Sequence, residues 1–188
     1  MNHKSFQEMR IEIILRNKNG INFILAASIC WVIISLLWTS HIDSGMLVLY
    51  SFMATMPLLP LAWVLGKVFK TEWKIANNSL NDLGLWLNFA QLFYFPLLIV
   101  VLMKNHNDMP MALAIITGAH FFPYAWFYQT KSYAVMAGVI SVGSAYIGYL
   151  NLGHTGGHWI GALVAVCLWI LAFWIYRDYK KFKKIHSV

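Results

Sequence analysis

The sequence predicts an all-α polytopic membrane protein. It should form one domain over residues 1–188, a compact bundle of six transmembrane helices with both termini in the cytoplasm and a short interfacial helix at the N-terminus. Three observations carry this. Six long apolar stretches contain no Asp, Glu, Lys or Arg. The chain is 60% hydrophobic and 11% charged, against roughly a quarter charged in a soluble domain. A chain this short has too little interior to hide that much apolar surface from water. Finally, Lys and Arg are segregated along the chain.

The elements follow in order. Ser5-Phe6-Gln7-Glu8 has capping-box spacing. Phe6, Met9 and Ile13 then share one helical face, so a short helix on the inner leaflet is expected, ended by Asn17-Lys18-Asn19-Gly20. The spans fall at 20–40, 44–66, 83–103, 109–129, 132–150 and 157–176, each close to the roughly 20 residues that cross a hydrocarbon core. Helices are expected because lipid offers no partners to backbone N–H and C=O groups. The first span lacks a small-x-small cleavage pattern and reads as a signal anchor. Asn77-Asn78-Ser79-Leu80-Asn81-Asp82 supplies turn and capping groups before span three. Trp38 and Trp159 should mark the outer boundary, and Trp63, Trp86, Trp126 and Trp174 the inner one. Span five carries Ala134, Ala137, Gly138, Ser141, Ser144, Ala145 and Gly148, and span six adds Gly157, Gly161 and Ala165. Such small residues let helices approach closely, so span five should pack on span six; a homodimer through span five is the alternative.

Orientation rests on the cations. Lys4, Arg10, Arg16, Lys18, Lys67, Lys70, Lys74, Lys131, Arg177, Lys180, Lys181, Lys183 and Lys184 lie on the side of the termini, leaving Lys104 alone of the 14 basic residues on the other. The positive-inside rule puts that richer side, and both termini, in the cytoplasm, which agrees with an even number of spans. The net charge of +7 is therefore a topology signal and does not suggest nucleic acid. The partners expected are the bilayer and, at the cytoplasmic face, anionic lipid. Tyr176-Arg177-Asp178-Tyr179-Lys180-Lys181-Phe182-Lys183-Lys184 would meet that lipid, with about 1 kcal/mol from each cation near the surface.

Function has to come from the uncharged interior. Pro57 and Pro60, Pro96 and Pro123 sit at similar depth in spans two, three and four. Each removes a donor from the carbonyl four residues earlier, at Met53, Met56, Leu92 and Ala119. Freed carbonyls in lipid must find partners or line a cavity. Polar side chains gather at that level: Asn88, Gln91 and Tyr94 in span three, and Thr117, His120 and Tyr124 in span four. These six are the candidate ligand-binding residues, with Gln91 or Tyr94 hydrogen-bonded to His120. Interhelical bonds of this kind also serve as plain structural glue. A lone imidazole with no intramembrane carboxylate disfavours proton-driven export. His154 and His158, four apart in the outer loop, are weak metal candidates, because Gly156 and Gly157 disfavour a helix across them and zinc needs a third protein ligand. Cys30 and Cys167 form no C-x-x-C. Phosphate loops, nucleophile elbows and paired carboxylates are absent, so no catalytic residue and no cofactor are expected.

Three segments carry a resemblance: Asn22-Phe23-Ile24-Leu25-Ala26-Ala27, Gln91-Leu92-Phe93-Tyr94-Phe95-Pro96, and Gly118-Ala119-His120-Phe121-Phe122-Pro123-Tyr124-Ala125-Trp126-Phe127-Tyr128. In these the chain resembles a family of small bacterial multi-span membrane proteins with no assigned function. The resemblance implies a bacterial membrane protein and supplies no activity or cofactor. The leading expectation is a protein that binds or transports a small molecule at a midplane pocket. Its alternatives are a noncatalytic membrane partner module and a membrane-embedded lipid-modifying enzyme.

Overall fold

The computed structural model describes residues 4–150 and 153–186, all helical or connecting, with no strand among them. The helices are α1 (Phe6–Asn17), α2 (Ile21–Leu37), α3 (Ser44–Thr55), α4 (Leu58–Phe69), α5 (Leu80–Ala90), α6 (Phe95–Lys104), α7 (Met109–Phe127), α8 (Lys131–Tyr149) and α9 (His154–His186). Four helical runs are long and apolar enough to cross a membrane: Phe6–Leu37, Ser44–Phe69, Leu80–Lys104 and Thr155–His186. α7 and α8, at 19 residues each, fall outside that set. Their apolar character is diluted by His120, four tyrosines and several Ser and Gly.

α1 forms as the sequence expects. Ser5 Oγ accepts from Glu8 N, and Glu8 reaches back to Ser5 N at 2.7 Å. Lys18, Asn19 and Gly20 then take positive φ, which breaks the helix before α2. α1 turns across one end of the molecule, where Arg10 Nε donates to Phe127 O and Asn78 Nδ2 donates to Met9 O.

The core is a four-helix arrangement of α2, α7, α8 and α9. Its broadest interfaces are α7 on α8 and α2 on α9, with α9 also touching α8 and α7. On α8 the buried residues Ser132, Tyr133, Met136, Ala137, Ile140 and Ser144 follow helical spacing. Span five thus packs most broadly on span four, and on span six as expected. Gly118 of α7 abuts Ile140 and Ser141, leaving a Cβ there no room. α2 and α9 approach still closer: a Cβ on Gly161 would lie 2.7 Å from Ser35 Cα.

Two polar stitches hold the end where α2 begins and α8 starts. Tyr133 Oη donates to Asn19 O at 2.6 Å, and Asn19 Nδ2 donates to Ile175 O at 3.1 Å. Thr130 caps α8 and also donates to Asp178 of α9. α9 runs to His186, ten residues past the predicted span. At about 1.5 Å per residue its 33 residues measure roughly 50 Å, well beyond a hydrocarbon core of about 30 Å.

Spans two and three are arms on this core, and both are broken. α3 stops before Met56-Pro57 and α4 restarts with Pro60 in its first turn, where a missing N–H costs no helical bond. α5 passes into a tight 3-10 turn, Gln91–Tyr94, before α6 begins with Pro96 near its start. Pro123 sits inside α7 without breaking it. α3 and α4 lie against α2, whereas α5 and α6 touch α7 only lightly and remain almost wholly exposed.

Candidate functional site

The six midplane residues do not assemble as a hydrogen-bonded set. Asn88 Nδ2 donates to Gly84 O at 2.9 Å, and Thr117 Oγ1 to Leu113 O at 2.8 Å; both bonds stay within their own helix. Gln91 is half-buried at the start of the 3-10 turn, and Tyr94 is exposed at its end. Neither bonds to His120, whose described contacts are rings, 5.3 Å to Tyr124 and 6.0 Å to Phe121. The loose seating of α5–α6 on α7 explains this, since interhelical bonds need backbones held close. Two of the carbonyls that proline deprives are served locally. Met56 N donates to Met53 O at 3.2 Å, and Phe95 N donates to Leu92 O. The broken backbone therefore closes these bonds by 3-10 geometry without a ligand. One anomaly remains: Tyr124 is buried and its hydroxyl has no partner. Its ring stacks with Tyr128 at 5.9 Å, and Tyr128 with Tyr133 at 5.7 Å.

A second arrangement lies at the end of the α2–α9 seam where α2 ends and α9 begins. A cavity of about 590 Å³ is lined by Trp38, Thr39, His41, Ile42, Thr155, His158 and Trp159. Sites for small molecules typically enclose about 300–1,000 Å³ of mostly apolar wall with a few placed polar groups. Trp38 was expected at the membrane boundary, yet it is fully buried. Its Nε1 donates to Ser51 Oγ at 3.0 Å, which satisfies the indole in the interior. Its ring lies flat against Gly157, where a Cβ would come within 2.4 Å. The aromatic wall is therefore fixed from two sides.

His158 is fixed as well. Its Nδ1 lies 3.1 Å from Ser35 O and 3.1 Å from Ser35 Oγ, while Ser35 Oγ donates to His158 O at 3.0 Å. A carbonyl only accepts, so Nδ1 carries a proton and donates it to Ser35 O, leaving Nε2 free of this contact. These bonds fix the orientation of the imidazole. The His154 side chain lies outside the described residues. Among the described residues no group of three His, Cys, Asp or Glu is placed to hold a metal.

Sequence reasoning named His158 as a candidate and Trp38 and Trp159 only as boundary residues; it did not bring them together with Thr39, His41, Ile42 and Thr155. The available signal was the pairing of Trp38-Thr39-x-His41 with Thr155-x-x-His158-Trp159 at the facing ends of two spans.

Among the described residues the fold is all-helical, and four of its apolar runs are long enough to cross a bilayer, which is compatible with a membrane-embedded protein. The chain belongs to the family of unknown function DUF7010, which matches residues 6–178. That agrees with the resemblance to an uncharacterised family. No curated protein and no solved structure matches the chain.

Proposed function

We propose that the chain is a multi-pass membrane protein of six crossings that binds a small neutral molecule at the outer end of the α2–α9 seam. α7 and α8 complete the count, since 19 residues approach the roughly 20 needed and both pack into the core. The cation distribution supports cytoplasmic termini, with α1 lying at that face. The observation that carries the binding reading is the cavity itself. The exposed Trp159 indole offers a stacking face, and His158 Nε2, His41 and Thr39 offer hydrogen bonds. No carboxylate, Lys or Arg lines it, so the lining suits a neutral planar ligand better than an ion.

A second reading, binding or transport at the midplane around His120 and Tyr124, draws support from the unpartnered Tyr124 hydroxyl beside two discontinuous arms. Transporters often place their sites at broken helices. The two readings separate in one experiment. Indole is titrated into the purified full chain and thermal unfolding is followed. The outer site expects a rise in Tm that Trp159→Ala and His158→Gln abolish and Tyr124→Phe leaves intact. Dependence on Tyr124 with indifference to Trp159 would move the site to the midplane. No response in any form would remove the neutral-aromatic reading.

A further inference from the structure

Three lysines from distant parts of the chain meet at the inner end. Lys18 follows α1, Lys70 follows α4, and Lys183 sits in the last turns of α9. Lys18 Nζ donates to Phe69 O at 2.5 Å, which sets it beside Lys70. It also lies over the Tyr179 ring at 5.8 Å, and Tyr179 is one helical turn before Lys183. The charges of Lys183 and Lys70 both bear on Lys18.

Like charges gathered this way repel, and among the described residues no acid pairs with Lys18 or Lys70. Glu72, the nearest carboxylate in sequence to Lys70, is engaged by Arg16 at 2.9 Å. Glu12 serves Lys4 and Arg16. Asp178 receives the Thr130 hydroxyl. Among the described residues no ion pair includes Lys18 or Lys70. Both lysines adopt positive φ, so the backbone itself is turned to place them at this corner.

Neutral groups stand at the same end of α4. Thr71 Oγ1 and Trp73 Nε1 both lie 3.2 Å from where a Cβ on Gly66 would be, and the buried Thr71 hydroxyl has no partner. The outward face of α4 leading to this corner is apolar and exposed at Trp63, Val64 and Val68. Lys67 Nζ lies 3.4 Å over the Trp63 ring, an amphipathic pairing typical of a membrane boundary.

We infer that Lys18, Lys70 and Lys183 form a binding site for the phosphate group of an anionic phospholipid, whose acyl chain lies along the Trp63, Val64 and Val68 face of α4. The cations supply charge, and the adjoining apolar face favours a lipid over free phosphate. This rests on the membrane reading and is independent of the outer cavity, so loss of indole binding would leave it standing.

The test uses the full chain in nanodiscs of phosphatidylcholine, titrated with phosphatidylglycerol. Wild type should take up phosphatidylglycerol saturably. At about 1 kcal/mol per surface cation, Lys18→Gln and Lys70→Gln should each weaken uptake about fivefold, and the double variant more than tenfold. Lys70 is exposed, so its variant tests charge without disturbing the fold. Lys18→Arg with Lys70→Arg keeps the charge and should keep uptake within about threefold. Lys181→Gln with Lys184→Gln removes as much charge from the same end and should change it less than twofold. Equal losses in that control pair would reduce the effect to diffuse surface attraction and overturn the site. So would uptake without saturation. Displacement by millimolar inorganic phosphate would assign the site to free phosphate and overturn the lipid; undiminished lipid uptake in phosphate supports it.

Discussion

The α2–α9 seam and the α5–α6 arm are built from similarly apolar sequence, and they end up in opposite states. Half or more of the residues in the apolar windows of the seam helices are buried, and almost none in the arm. The difference lies in side-chain size. α9 turns Gly157 and Gly161 toward Trp38 and Ser35, so two backbones come into contact. The arm presents Leu85, Trp86, Phe89, Leu92, Phe93, Leu97 and Met103 to its surroundings. In a bilayer apolar character does not pull helices together, because lipid tails satisfy it equally well; close packing does. The seam is therefore rigid enough to hold Trp38 and His158 in place, while the arm leaves Gln91 and Tyr94 short of His120.

The largest effect should come from breaking the seam. Gly161→Val forces a branched side chain against Ser35 Cα at a distance no rotamer can relieve. Overpacking of this kind costs about 1–3 kcal/mol and often more where backbone is the obstacle. Gly138→Val is the matched control, since a Cβ at Gly138 meets nothing within 4 Å. Denaturant unfolding in detergent should separate the two clearly. Similar stability for both would mean that α2 and α9 are not in contact.

The next contrast concerns polar groups. Tyr133→Phe removes the donor from Asn19 O, a carbonyl in the broken stretch between α1 and α2. Leaving it buried and unsatisfied should cost about 1–3 kcal/mol. Asn88→Ala, on the exposed arm, removes a bond confined to its own helix and should cost under about 0.5 kcal/mol. The same unfolding measurement checks both.

Much of this contrast was legible in the sequence and part was not. The capping box at Ser5, the break at Asn17–Gly20 and the discontinuities at Pro57 and Pro96 follow from local chemistry, which a single chain carries in full. Span counting set His120, Gln91 and Tyr94 at a common depth. What counting lacks is rotation and proximity. A helix can be placed at the right height and still face elsewhere, and 3-10 bonds met the freed Met53 and Leu92 carbonyls that seemed to ask for a pocket. Trp38 shows the same limit. Composition marks it as a boundary residue, and only the partner Ser51, 13 positions on, explains its burial.

The smallest expected effect is the most discriminating. Tyr124 keeps its ring inside the aromatic stack with Tyr128 and Tyr133, and its hydroxyl is buried without a partner. A buried unsatisfied hydroxyl is a net cost, so Tyr124→Phe, which keeps the ring, should leave stability unchanged or raise it slightly. Tyr133→Phe, the same change a few ångströms away, should lower it. If Tyr124→Phe instead loses about 1 kcal/mol or more, the hydroxyl is bonded to something in the folded protein. A water or a ligand reaching that depth would then connect His120 to the midplane reading, and the arm's loose packing would become its route of access. Equal behaviour to wild type leaves the rigid seam and its outer cavity as the place where this fold holds its chemistry.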